Sequence, residues 1–312
     1  AQADWLIGMN GTRAYTTRYF KRLVVGRVQT PTLAMLAERQ ERIEHFQKEA
    51  FYKVALTDGK LTVVSENIAN EEAADLLAAL CNGSTAVVTQ MKKERKKSFP
   101  PKLYDLTSLQ REANRFFGYT AQKTLDMLQE LYEEKMVTYP RTDSQYVTED
   151  MKETVETLAD EMTDFLPFLK SEQSGGNAER VINNAKVSDH HAIIPTVELA
   201  EFDFSKLREW EQKILFLIAV HTVEAMEEDH VFMETEVEVR CQDEIFKAKG
   251  KVVKQIGWKL FEECFKNEDG LAIENPADAG KDRIPKVEAD HKFYNVSAAK
   301  TEHFTAPPKP IE

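Results

Sequence analysis

A phenol, a proline and a guanidinium follow one another at Tyr139-Pro140-Arg141, inside the run Met136-Val137-Thr138-Tyr139-Pro140-Arg141-Thr142-Asp143-Ser144. A phenolate is a nucleophile, and a guanidinium beside it offsets charge on phosphoryl oxygens, so this pair could attack a phosphate. Pro140 fixes its own φ and disfavours helix for the residue before it. That places Tyr139 at the end of a short strand, with Arg141 in the turn that follows. Taken alone, the same residues also describe a half-buried tyrosine closing a strand. Arg27-Val28-Gln29 precede Thr30-Pro31, a good N-cap and first-turn pair. Free N–H groups and a guanidinium at a helix start favour a phosphate, although surface loops often hold an arginine. At Asp189-His190-His191 two adjacent histidines point in different directions, a poor metal pair. One of them could donate to a phosphate oxygen or a sugar, or be a satisfied core residue beside the apolar run Ala192-Ile193-Ile194. Cys81, Cys241 and Cys264 are far apart and form no CxxC pair, so neither a disulfide scaffold nor a zinc site is expected.

The elements that must position these residues are readable to different degrees. Residues 3–20 predict a helix with Trp5, Leu6, Ile7, Met9 and Tyr15 as apolar members, weakened by Gly8 and Gly11. A second helix from Thr30-Pro31 carries Leu33, Leu36, Ile43 and Phe46 on one stripe. Alternation over 51–56, 61–64 and 85–89 predicts strands, with a helix over about 70–81 between them. The basic run Lys92, Lys93, Arg95, Lys96 and Lys97, followed by Phe99-Pro100-Pro101, predicts a connector between domains. Thr107 with Gln110 makes a capping-box pattern, Gly118 suits a helix end and Thr120 suits the next helix start. That next helix shows Ala121, Leu125, Leu128 and Tyr132 on one face. Two helices around a glycine turn and then a short strand describe a helix-turn-helix with a wing, Tyr139 emerging at the wing. A third helix is expected over 147–166, a loop at Ser174–Asn177, and a strongly apolar helix over 207–227. Strand patterns return over 231–252 and 284–298, so a β domain interrupted by a helical insertion is expected.

The chain has 312 residues, 42% hydrophobic and 30% charged, enough for two or three domains of an ordinary soluble kind. No stretch has the length of an apolar membrane span and the first residues form no signal peptide, so a cytoplasmic, reduced setting is the default. A net charge of −12 argues against nucleic-acid binding over the whole surface. The cations are gathered, however, in 92–102 and in Arg13, Arg18, Lys21, Arg22 and Arg27. A locally basic groove on an acidic body is compatible with that balance.

Five motifs in order make the chain resemble the type IA DNA topoisomerases, their bacterial topoisomerase III branch most closely. They are Gly26-Arg27-Val28-Gln29-Thr30-Pro31; Pro100-Pro101 with Leu106-Thr107-Ser108-Leu109-Gln110; Leu131-Tyr132-Glu133-Glu134; Thr138-Tyr139-Pro140-Arg141-Thr142-Asp143-Ser144; and His190-His191-Ala192-Ile193-Ile194-Pro195. The resemblance implies that Tyr139 attacks a phosphodiester of single-stranded DNA, giving a 5′-phosphotyrosine through which a second strand passes before religation. It implies that Arg141 holds the scissile phosphate and that His190 supports positioning and cleavage. His191 stands in a place that is usually glutamate in topoisomerase I. Arg27 and Gln29 would line a single-strand groove with Asp4 near its far end, and Lys123 and Thr138 join the DNA-binding candidates.

The resemblance also implies a Toprim domain supplying a catalytic glutamate, a lysine and an Asp-x-Asp pair for Mg²⁺, and no such motif occurs in these 312 residues. The expectation is therefore a core fragment that is monomeric, engages single-stranded DNA, and cleaves feebly or not at all alone. Two other readings stand beside it: a non-catalytic single-strand clamp and a winged-helix regulator of duplex DNA. The second is disfavoured because Gln122-Lys123-Thr124-Leu125-Asp126 is mixed in charge and Glu130, Glu133 and Glu134 follow it. The expected fold class is α+β. A winged-helix-like tyrosine domain (99–227) is inserted in a β arch (49–98 with 228–306), after a helical segment (1–48) of an incomplete domain and before an extended tail (307–312).

Overall fold

The computed structural model describes residues 2–166, 176–196, 207–268, 284 and 290–311, without the side chains of 163–165. The loop expected at Ser174–Asn177 lies outside the described residues except for its last two positions. Helices and strands alternate along the chain as α1 (Gln2–Tyr19), α2 (Gln29–Glu44), β1 (Ala50–Thr57), β2 (Thr62–Val64), α3 (Glu71–Cys81), β3 (Ala86–Ser98), α4 (Leu106–Phe117) and α5 (Ala121–Glu133). They continue as α6 (Lys152–Phe165), α7 (Glu209–Met226), β4 (His230–Cys241), β5 (Glu244–Gln255), α8 (Lys259–Glu268), β6 (Lys292–Phe293) and β7 (Ser297–Phe304). The seven strands hydrogen-bond in the order β6, β3, β4, β5, β2, β1, β7. Among the described residues no helix is long and apolar enough to cross a membrane.

The backbone forms two compact units, one of 1–87, 239–246 and 292–312, the other of 88–238 and 247–291. In the first, β1 pairs antiparallel with all of β7, from Ala50 against Phe304 to Thr57 against Ser297, and with β2 from Ala55 against Val64. Val54, Leu56, Val63, Ala74 and Cys81 form its core. The two glycines that weaken α1 by propensity have a use: a Cβ at Gly8 would come 3.2 Å from the Val25 carbonyl, and one at Gly11 3.2 Å from the Val25 side chain. The chain after α1 thus turns back along the glycine face, held by Thr12 Oγ1 accepting from Val25 N–H at 2.9 Å. One expectation fails there. α2 begins at Gln29 with no side-chain cap, because Thr30 Oγ1 instead accepts from the Gly26 N–H at 3.0 Å.

The second unit is built on α7, whose residues Ile214, Leu215, Leu217, Ile218, Ala219, Val220 and Val223 are buried. The other helices supply Leu109, Ala113, Leu128, Leu131, Val155, Leu158 and Met162 to the same core. α8 carries Phe261 and Phe265 into it, an element the sequence pattern did not reveal. Tyr104 is buried with its polar end satisfied: the hydroxyl donates to Glu112 at 2.6 Å, and the ring stacks on His221 at 3.7 Å.

Three local expectations are corrected. α4 is capped by Asp105 in a box with Ser108, not by Thr107 with Gln110, because Tyr104 still bridges Ile193 and keeps the chain extended through Asp105. The buried face of α5 is Thr124, Met127, Leu128 and Leu131, while Tyr132 is exposed. Thr124 can be buried because its hydroxyl donates to the Thr120 carbonyl at 3.1 Å. The basic run is strand rather than irregular linker: it forms the second half of β3, a strand with residues in both units, where Lys96 pairs with Glu234 and Lys97 with Asp229. Gly118 (φ 68°) and the Thr120 cap follow expectation.

Candidate active site

Tyr139 lies in the second unit, where the chain leaves α5. The strand expected there is reduced to one bridge, Val137 opposite Pro195. Side-chain hydroxyls replace the missing ladder. Thr138 N–H donates to the Ile194 carbonyl at 3.0 Å, and its Oγ1 both accepts from Ile194 N–H at 3.0 Å and donates to the Ala192 carbonyl at 3.0 Å. On the other side of Tyr139, Thr142 Oγ1 donates to the His190 carbonyl at 3.1 Å, and the Thr142 carbonyl accepts from Leu106 N–H at 3.1 Å. Two threonines therefore clamp the tyrosine segment to residues 190–194, about fifty positions away in sequence. Pro140, Thr142 and Ser144 are buried in this seam, whereas Arg141 and Asp143 face out.

The clamp sets the rings. Tyr139 is half-buried between the His190 ring, with centroids 4.1 Å apart and planes tilted by 34°, and the Tyr132 ring, edge-on at 5.6 Å. Among the described residues its hydroxyl makes no hydrogen bond. Arg141 donates through Nη1 to the Gln129 side-chain oxygen at 2.8 Å, and the Gln129 amide in turn donates to Glu133 at 3.1 Å. The partner of the guanidinium is thus a neutral amide, which orients the cation without cancelling its charge. The phenol and the imidazole are in ring contact, and two residues on from the tyrosine the guanidinium is exposed and unneutralised.

Gln129 and Tyr132 were not among the sequence candidates. They sit three apart on the outer side of α5 and hence on one face, and that spacing just ahead of the tyrosine run was the available signal. His191 is turned from its neighbour, with Nδ1 2.8 Å from the Ala192 carbonyl. Lys123 is at the other end of α5, its Nζ over the Tyr119 ring at 4.1 Å. Six residues of helix separate it from Gln129, about 9 Å along the axis, so the structure does not bring Lys123 to the tyrosine.

In the first unit, the return of the chain along α1 brings Arg27 to Asp4, Nη1 to Oδ2 at 2.7 Å. Both side chains are exposed, by 75% and 41%, so this pair is worth at most about 1 kcal/mol and an incoming anion can displace the carboxylate. Gln29 opens α2 beside Gly26. Among the described residues no group of three or more His, Cys, Asp or Glu side chains could hold a metal ion.

A family model described as DNA topoisomerase matches residues 1–312. The DNA topoisomerase 3 of Bacillus subtilis is 39% identical over 281 residues, covering 86% of this chain and 38% of the relative. That of Bacillus licheniformis is 38% identical over 323 aligned residues, covering 99% and 43%. The full-length topoisomerase I of Thermotoga maritima has a similar fold, with a TM-score of 0.70 at 22% identity over 98% of this chain and 49% of that one. The chain spans about two-fifths of the length of the curated relatives it matches.

Proposed function

From the premise that this chain belongs to the type IA DNA topoisomerase family, we propose that Tyr139 is the nucleophile that cleaves single-stranded DNA. The observation that supports this is the ring contact of Tyr139 with His190 in a segment clamped to residues 190–194, the hydroxyl free and the Arg141 guanidinium unneutralised. The phenol oxygen attacks phosphorus, an O–P bond forms to Tyr139, and the P–O bond to the neighbouring deoxyribose breaks, leaving a 3′-hydroxyl and a 5′-phosphotyrosine. Arg141 balances charge on the non-bridging oxygens as the transition state forms, and His190 packs against the ring and orients it. The reverse attack by the 3′-hydroxyl reseals the strand after another has passed, which gives relaxation or decatenation. Arg27, Gln29 and Asp4 are proposed to line the track of the strand in the first unit, with Thr138 and His191 bordering it near the tyrosine.

The leaving 3′-oxygen must collect a proton, and the resemblance assigns that acid and the Mg²⁺ ligands to a Toprim portion. The described residues do not fit a metal, so no step proposed for this chain runs through one. The 312 residues alone are proposed to bind single strands as a clamp and to cleave them weakly at most. The test is to supply the Toprim portion on the same polypeptide and trap adducts with a labelled single-stranded oligonucleotide. The completed enzyme should give a covalent adduct and its Tyr139→Phe variant none; an adduct from the variant overturns the assignment.

A further inference from the structure

Apart from the tyrosine segment, the second unit holds a cleft of about 170 Å³ lined by Phe99, Pro101, Lys102, Tyr146 and Arg180 among others. It is smaller than the roughly 300–1,000 Å³ of pockets for whole drug-sized ligands, and has room for one ring or one phosphate group. The Tyr146 ring has two ammonium groups near it: Lys102 Nζ, from the cleft lining, 5.7 Å from its centre, and Lys186 Nζ, from outside the lining, at 4.8 Å. Lys186 Nζ also lies 3.4 Å from the Tyr146 hydroxyl. Among the described residues neither lysine has a carboxylate partner, although the chain carries 53 acidic residues to 41 basic ones. The acid nearby is already matched: Asp229 is held by Lys97 at 3.2 Å and Arg180 at 3.0 Å. Phe99, on the same wall, exposes 70% of its surface. Two unneutralised cations around a phenol, beside an exposed aromatic face, are the parts of a stacking platform with a phosphate seat.

We propose that this cleft is a subsite for one nucleotide unit of single-stranded DNA, its phosphate between Lys102 and Lys186 at the Tyr146 hydroxyl and its base on Phe99. The inference rests on the reading of this chain as a strand-cleaving protein and adds a second point of engagement to it. The cleft is coupled to the tyrosine segment by backbone, since the Tyr146 carbonyl accepts from Ala192 N–H at 2.9 Å. Seven positions separate Tyr146 from Tyr139, a span of no more than about 25 Å, so one strand can occupy both. The site recognises the backbone charge and a π face, and so carries no base preference.

The test is fluorescence anisotropy of labelled oligothymidylate on the 312-residue chain across a salt series. The Lys102→Gln/Lys186→Gln double variant should bind about 3- to 10-fold more weakly, with the slope of log K against log salt shallower by about 0.7 for the lost phosphate. The Lys102→Arg/Lys186→Arg variant should keep the slope. Phe99→Ala should weaken binding by about fivefold or more with the slope unchanged. These side chains are exposed, so circular dichroism and the thermal midpoint should not move. Wild-type affinity and slope in the double glutamine variant overturn the subsite, while adduct trapping at Tyr139 in the completed enzyme is unaffected by that result. An equal loss on a duplex of the same length overturns the assignment to single strands.

Discussion

At the scale of single residues, the geometry separates holding a charge from cancelling it. Arg141 is steered by Gln129, an acceptor without charge, and Gln129 is steered by Glu133. In the completed enzyme, Arg141→Gln should slow single-strand cleavage on the order of 10²–10³-fold, as loss of a group aimed at developing charge does. Gln129→Ala should cost less, up to about 10²-fold, through misplacement alone. Gln129→Glu keeps an acceptor but places a carboxylate on the guanidinium, so it should cleave more slowly than Gln129→Ala despite an intact fold. Single-turnover cleavage of an end-labelled oligonucleotide, beside a thermal melt, orders the three. Tyr139, Arg141 and His190 stood out as candidates by residue type, but each also fitted a plain structural reading, and their proposed roles came from the resemblance carried by five motifs in order. Gln129 did not stand out: a polar residue on the outer face of a helix resembles any solvated position until its partner is seen.

At the scale of elements, legibility followed how much of the decision was local. The Thr120 cap and the Gly118 end depend on a few neighbours and came out as read. The start of α4 did not, since it hinges on the bridge from Tyr104 to Ile193, nearly ninety positions away. Likewise the basic run looks like a linker in isolation and is a strand because β4 offers it Glu234 and Asp229 lies within reach. The same ion pairs set a pH dependence. Burial alone would raise the Asp229 carboxyl, but the hydrogen bonds from Arg180 and Lys97 outweigh it and hold the group below the usual carboxylate range. A depressed folded value means the unfolded chain binds the proton more readily. This contribution is therefore present above the ordinary carboxylate range and lost as pH falls through the depressed value. Asp229→Asn should lower the thermal midpoint at neutral pH, with a gap from wild type that closes on acidification. A gap constant between neutral and strongly acid pH would refute the linkage.

At the scale of the molecule, the chain is acidic with concentrated cations, so the DNA affinity proposed for it should fall steeply with salt, as phosphate contacts do. Its helix content, strand content and broad α+β character could be read from periodicity. The way β3, β4 and β5 each contribute residues to both compact units could not, because alternation gives a strand its faces but not its neighbours. One glycine in the second unit carries a backbone constraint. Gly257 has φ 54°, and a Cβ there would come 2.4 Å from the Glu228 carbonyl and 2.6 Å from that of Asp229. Gly257→Ala should destabilise the chain by more than about 2 kcal/mol, through a left-handed conformation and a clash with backbone that cannot swing aside. Urea unfolding would read it; a loss under about 0.5 kcal/mol, the range of ordinary surface changes, would count against the close approach.

The threonine clamp has a mechanical meaning. If a DNA end is joined to Tyr139, any pull on that strand becomes a tensile load on a residue with hardly any strand ladder of its own. Thr138 and Thr142 pass the load on either side into the carbonyls of Ala192 and His190. The force is thus shared between two chain segments and enters the α7-centred core through buried Pro140 and Ile193 rather than through the exposed turn. Histidine and tyrosine then travel as one body under load. Under the proposed mechanism, a broken strand held in this way would keep its phosphorus beside His190 and the Arg141 segment until the ends return.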